Sequence, residues 1–148
     1  MPAPLQSSPL DRDTLARTVY GEARSEPWAG QVAVAWVVRN RAESTTTWWG
    51  RGIRGCCVAP YQFEAWAKDN PNRSLMNGAT EEMPAFRVAR AAAEAVLEGA
   101  IQDLSLGADH YYSTSMPSPP SWASAYVATQ AIGRHKFFRS LPGSMPRV

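Results

Sequence analysis

Two glutamates four residues apart, Glu22 and Glu26, stand in the stretch Tyr20-Gly21-Glu22-Ala23-Arg24-Ser25-Glu26-Pro27. On one continuous helix they would share a face. Pro27 argues against that, because the residue before a proline is pushed out of helical geometry. The pair is then split: Glu22 falls in the last turn of one helix, and Glu26 caps the start of the next. The negative end of a helix, together with burial, raises a carboxyl pKa, whereas a helix start keeps the acid ionised. A glycosidase needs a protonated carboxyl to donate to a leaving sugar oxygen, and Glu22 is placed for that. The alternative at this point is a pair of solvated surface acids beside Arg24.

Aromatic residues crowd the irregular parts of the chain. Trp48, Trp49, Tyr61, Phe63, Trp66, Tyr111, Tyr112 and Trp122 all fall outside the three clearest helices. Sugar rings stack on aromatic faces, and a carbohydrate groove sets such residues beside amides such as Gln62. A small domain filling its loop-side core with large rings would show the same concentration. Cys56, Cys57, His110 and His135 are the residues a zinc site would draw on. Adjacent cysteines suit one metal poorly, since ligand pairs stand two to four residues apart. No metal, cofactor or cysteine–histidine nucleophile is expected. Neighbouring cysteines also make a strained disulfide, so no staple is implied.

The elements that must position these residues follow from periodicity. Asp11 to Ala23 reads as a helix with Leu15, Ala16, Val19, Tyr20 and Ala23 at helical spacing. Pro27 suits the first position of a second helix running to Arg41, whose middle, Gln31 to Val38, is apolar on every side and so belongs in the core. Pro84 to Gly99 reads as a third helix. Ser44 to Gly55 reads as a loop or short hairpin and Lys68 to Gly78 as turns. Gly107 to Pro120 reads as irregular, Trp122 to Gln130 as a short helix and Ile132 to Phe138 as a closing strand. The fold class is α+β, predominantly helical, with a buried central helix and minor β-structure. Residues 1–10 read as a flexible lead-in, 11–140 as a single catalytic domain and 141–148 as a tail.

Bulk numbers exclude several classes. The chain has 148 residues, with 15 basic and 13 acidic ones and a net charge of +2. That is one ordinary domain, too mildly basic to argue for nucleic acid. No apolar run approaches the ~20 residues of a membrane span. Met1 to Asp13 lacks the basic start and apolar block of a secretory signal.

Ordered blocks along the chain resemble the bacterial and phage cell-wall hydrolases that include the spore-cortex-lytic enzymes. They are Ala16 to Glu26, Gly30 to Ala35, Val38 to Arg41, Pro60-Tyr61-Gln62-Phe63 with Trp66, Gly107 to Tyr112, Pro120 to Ala123, and Ile132 to Phe138. The resemblance implies a lysozyme-like fold and cleavage of peptidoglycan between N-acetylmuramic acid and N-acetylglucosamine, with Glu22 as the acid. It implies a lytic transglycosylase, in which one carboxyl works twice and neither a metal nor a second carboxylate is required. Tyr61, Gln62, Phe63, Tyr112 and Trp122 are expected to line the groove. Glu26, Glu64, His110 and Tyr111 are expected in supporting positions. The pattern departs at Ser25, where glycine is expected, and at Glu64, where a small residue is common. Glu64 as a base for water would turn the reaction into lysozyme-type hydrolysis. A wall-binding module that keeps the groove without the chemistry is the reading from another class, and a zinc amidase is a distant one. The expected context is a monomeric phage endolysin, made in the cytoplasm without a signal peptide and reaching the wall through a holin-type pore.

Overall fold

The computed structural model of the chain describes residues 1–44, 49–59 and 63–141, with Glu64 described in its backbone alone. Among them are five α-helices: α1 (Pro9–Ala23), α2 (Trp28–Glu43), α3 (Gly52–Val58), α4 (Asn72–Gly78) and α5 (Pro84–Leu97). Three strands, β1 (His110–Ser113), β2 (Val127–Ile132) and β3 (His135–Arg139), form one antiparallel sheet in the order β1-β3-β2. Short 3-10 turns lie at Glu64–Trp66 and Ser121–Ser124. The expected class, predominantly helical α+β, is what is found.

Helix α1 begins two residues before the expected start. The Ser8 hydroxyl accepts from the Asp11 N–H at 3.0 Å, and the Asp11 carboxylate accepts from the Ser8 N–H at 3.0 Å. This reciprocal capping satisfies two free donors, and Pro9 takes the first helical position, where a missing N–H costs nothing. The residues ahead of it lie on the body: the Leu5 N–H donates to the Leu97 carbonyl at 2.8 Å, and the Ala3 carbonyl accepts from Arg39.

Helix α2 is buried all round, with Val32, Ala33, Val34, Ala35, Val37 and Val38 fully shielded, as its unbroken apolar middle requires. It starts at Trp28 with Pro27 as its N-terminal cap, and no side chain caps it. Helices α1, α2 and α5 form the main core, in which Leu15, Val19, Trp36, Phe86, Val96 and Leu97 meet. A second apolar cluster joins α2 to the sheet through Val34, Val37, Ala108 and Phe137.

Four readings of irregular sequence are corrected. The loop expected up to Gly55 turns helical at Gly52, and the turns expected to Gly78 turn helical at Asn72. Both helices are seven residues long, too short for periodicity to register. The irregular Gly107–Pro120 stretch contains β1, whose alternation is visible only against its partner: Tyr111 pairs with Phe137 and Tyr112 with Lys136. The helix expected at Trp122–Gln130 is a 3-10 turn followed by β2. Positions 45–48, including Trp48, and positions 60–62 lie outside the described residues.

Candidate functional site

Glu22 sits half-buried in the last turn of α1, where three elements meet. Its Oε1 accepts a hydrogen bond from the Tyr111 hydroxyl on β1. Its Oε2 accepts from the Ala65 N–H at 3.3 Å, in the 3-10 turn after Phe63. Gly21 permits this approach. A Cβ there would run into the Met76 side chain of α4 and come within 3.1 Å of the Ala65 Cβ. Helix α4 is held against α1 by Arg17, which donates to the carbonyls of Met76 and Ala79.

Tyr111 is enclosed by rings. Its centroid lies 4.8 Å from His135, 5.7 Å from Phe137 and 6.4 Å from Phe63. Burial, and then the adjacent Glu22 carboxylate, push its phenol well above the ordinary tyrosine range. Tyr111 therefore stays protonated and acts as a donor. His135 is itself held below the usual imidazole pKa by burial.

Arg41, in the last turn of α2, joins the site although sequence pattern alone gives it no role. It is 5% exposed. Its guanidinium lies 4.4 Å from the Trp49 ring centroid and 5.0 Å from that of Phe63. Its Nε donates to the Asp109 carbonyl at 2.8 Å. Burial pulls its pKa down, and the nearby Tyr111, Asp109, Cys56 and Glu22 act in the opposite sense. A signal exists in the sequence: a cation just past the apolar run of a core-bound helix must find compensation inside the fold.

Glu26 does something other than cap α2, which corrects the expectation. Its carboxylate is turned to the connection between β2 and β3, where Oε1 accepts the Arg134 N–H at 2.8 Å and Oε2 lies 3.5 Å from Arg134 Nε. Gly133 is required beneath it. Its φ of +56° is left-handed, and a Cβ would collide with the Glu26 carboxylate. Glu26 thus ties the junction of α1 and α2 to the β2–β3 turn.

The other expected residues divide. Phe63 lies beside Tyr111 and Arg41 but is only 4% exposed, so it packs the floor of the site. Tyr112 faces away from Tyr111, as adjacent strand residues must. It joins Trp122, Tyr126 and Phe138 in a separate aromatic cluster on the far side of the sheet, beside an open groove of about 830 Å³ that Lys136 also lines. Trp122 is 6% exposed, with its ring 4.8 Å from His110. His110 is buried, and its Nδ1 lies 2.9 Å from the Asp109 carboxylate. Burial opposes ionisation of Asp109, but hydrogen bonds from His110 and Ser140 outweigh it and hold that carboxyl below its ordinary pKa. Tyr61, Gln62 and the Glu64 side chain lie outside the described residues.

Cys56 and Cys57 are free and buried, and burial pushes their thiols up to about 11 and about 12. Among the described residues, no three His, Cys, Asp or Glu side chains gather as a metal site would require, and no helix is long and apolar enough to cross a membrane. Chemically, the described residues set the Glu22 carboxyl at a helix end, with a phenol and a backbone N–H as donors and a buried guanidinium nearby.

Comparison with known proteins gives a consistent picture. A family model described as Cell Wall Hydrolase matches residues 25–138, a stretch that begins just after Glu22. A spore cortex-lytic enzyme of Halalkalibacterium halodurans is 34% identical over 134 residues, covering 90% of this chain and 36% of that protein. A spore cortex-lytic enzyme of Bacillus subtilis is 45% identical over 53 residues, 36% of this chain and 17% of the relative. The chain therefore spans about a third or less of the length of these relatives. The solved catalytic domain of the germination-specific lytic transglycosylase SleB from Bacillus anthracis superposes with a TM-score of 0.73 at 28% identity, covering 93% of this chain and 100% of that one. The catalytic domain of Bacillus cereus SleB gives 0.72 at 27% identity, covering 93% and 95%. The expected lysozyme-like α+β fold is the one these domains share with the chain.

Proposed function

The chain belongs to the cell wall hydrolase family, and from that premise we propose that it cleaves the β-1,4 bond between N-acetylmuramic acid and N-acetylglucosamine as a lytic transglycosylase, with Glu22 as the single acid and base. The observation that carries this reading is the pair of hydrogen bonds on Glu22, from the Tyr111 hydroxyl and the Ala65 N–H. They fix the Glu22 carboxyl at the end of a helix, while Glu26 is engaged with Arg134.

The reaction runs in two proton transfers. Protonated Glu22 donates to the glycosidic oxygen, the C1–O bond breaks, and the N-acetylglucosamine side leaves as an alcohol. The Glu22 carboxylate then takes the proton of the muramic acid 6-hydroxyl, and that oxygen bonds to C1. This closes a 1,6-anhydro ring and returns the proton to Glu22. No water is consumed. Between the two steps Glu22 is an anion, the form that the Tyr111 and Ala65 donors favour.

The test is Glu22→Gln. It keeps the shape and removes the acid, so release of soluble fragments from purified walls should vanish while the thermal transition hardly moves. Clearing of walls by the variant at the wild-type rate would refute the assignment. A hydrolytic muramidase is the second reading, motivated by Glu64, which adjoins the Ala65 donor in sequence. It differs in its products, which gain one water.

A further inference from the structure

The Ala65 N–H and the Tyr111 hydroxyl, which donate to Glu22, each sit two residues after a point that Arg41 grips. Phe63, under the guanidinium at 5.0 Å, precedes Ala65, and its carbonyl accepts the Trp66 N–H at 3.1 Å to close the turn that presents the Ala65 N–H. Asp109, whose carbonyl accepts from Arg41 Nε at 2.8 Å, precedes Tyr111, whose hydroxyl reaches Glu22. Phe63, just before the Glu64–Trp66 turn, and the strand β1 come from distant parts of the chain. Arg41, anchored on the buried helix α2, binds to both.

We propose that Arg41 is a positioning residue of this site: it sets the Tyr111 and Ala65 donors to Glu22 in place, and its charge supports the anionic form of Glu22 that must take the second proton. The proposal rests on Glu22 being the acid and base. A guanidinium suits the task because its flat face stacks between aromatic rings while its edge donates in plane. Burial of a cation is costly unless it is compensated. Here the compensation includes the Trp49 and Phe63 faces, the Asp109 carbonyl, and the negative charge that forms on Glu22. The electrostatic link is reciprocal, since the interaction with Glu22 that favours charged Arg41 equally favours charged Glu22.

Among the described residues, His135 packs on the Tyr111 ring at 4.8 Å and is held below the usual imidazole pKa by burial. Tyr111 on β1 stays protonated, and the Cys56 and Cys57 thiols of α3 stay neutral below about pH 11. Asp109 is turned to His110 and Ser140. Arg24, the residue that caps the C-terminal end of α1, donates to the Asn72 side chain at 2.8 Å. Glu64 lies in the turn that carries Ala65.

Arg41→Met and Arg41→Lys test this on soluble, uncross-linked glycan strands, with kcat and KM followed across pH and the thermal transition recorded beside them. Arg41→Met should lower kcat by about tenfold to a hundredfold with little change in KM, the scale of a mispositioned catalytic group. Glu22 must start protonated, so the rate falls on the alkaline side as it ionises. Without the Arg41 charge, Glu22 ionises later, and that limb should move to higher pH. Arg41→Lys should leave the limb in place, because the charge stays, yet still lower kcat, because an ammonium cannot stack and donate as a guanidinium does. A limb that stays put in Arg41→Met overturns the proposal. Where Arg41→Met does not fold, a wild-type kcat in Arg41→Lys overturns it. Glu22→Gln in the same assay separates the levels: an active Glu22→Gln sinks the proposed function, whereas an inactive Glu22→Gln beside unchanged Arg41 variants sinks only the role of Arg41.

Discussion

The hydroxyl of Tyr111 donates to the Glu22 carboxylate across 89 residues of sequence, joining the end of the first helix to the first strand of the sheet. A hydrogen bond to a charged group is worth about 1.5–3 kcal/mol, so Tyr111→Phe should lower kcat by roughly tenfold to a hundredfold. The phenyl ring keeps the packing against His135 and Phe137, and KM should hold. Initial rates of fragment release check this, and an unchanged kcat would make the contact incidental.

Gly21→Ala should injure the site from beneath. The added Cβ meets Met76 and crowds Ala65, the residue whose N–H reaches Glu22. Ala is otherwise the better helix former by about 1 kcal/mol. A loss of kcat alongside a lowered melting temperature is therefore the expected result, and a stabilised, fully active variant would show that Met76 moves aside freely.

Glu26 and Trp122 should behave as parts of the frame. Glu26→Ala leaves the Arg134 N–H without its acceptor, at a cost of about 1–3 kcal/mol, and Glu26→Gln, which keeps an acceptor, should cost less. The ion pair adds little, because Arg134 is 63% exposed. Trp122→Ala empties a buried aromatic cluster, at about 3–5 kcal/mol. In both cases the activity per folded molecule at low temperature should stay near wild type. A Trp122 variant that folds normally but no longer binds walls would instead place that ring in the substrate groove.

The buried thiols give a pH dependence with a definite sign. In the unfolded chain a cysteine ionises near 9.0, whereas in the fold burial delays Cys56 to about 11 and Cys57 to about 12. The unfolded state thus loses protons first as pH rises, so stability is full below pH 9 and declines from there toward 11–12. Melting temperatures measured from pH 8 to 10.5 should fall, with a shallower slope in Cys57→Ala. At neutral pH both thiols should resist alkylation until the protein unfolds.

What was legible in the sequence was local. Pro27 alone divides Glu22 from Glu26, and the unbroken apolar run of α2 marks the central helix. The roles that depend on distant partners were not legible. Glu26 reads as a helix cap because nothing nearby reveals Arg134, which lies 108 residues on. Strand β1 has four residues and shows its two faces only when paired with β3, so Tyr111 and Tyr112 read alike although they serve opposite sides of the sheet. Arg41 closes a helix whose apolar run drew the reading toward packing, and its partner Asp109 stands 68 residues away.

The central claim is that one carboxyl, Glu22, both opens the glycosidic bond and closes the anhydro ring without water. The most direct test is digestion of purified peptidoglycan in heavy-oxygen water, followed by mass spectrometry of the fragment ends. Muramic acid ends in the 1,6-anhydro form, free of heavy oxygen, are the predicted result. Reducing muramic acid ends that carry heavy oxygen would contradict the account and make the enzyme a hydrolase.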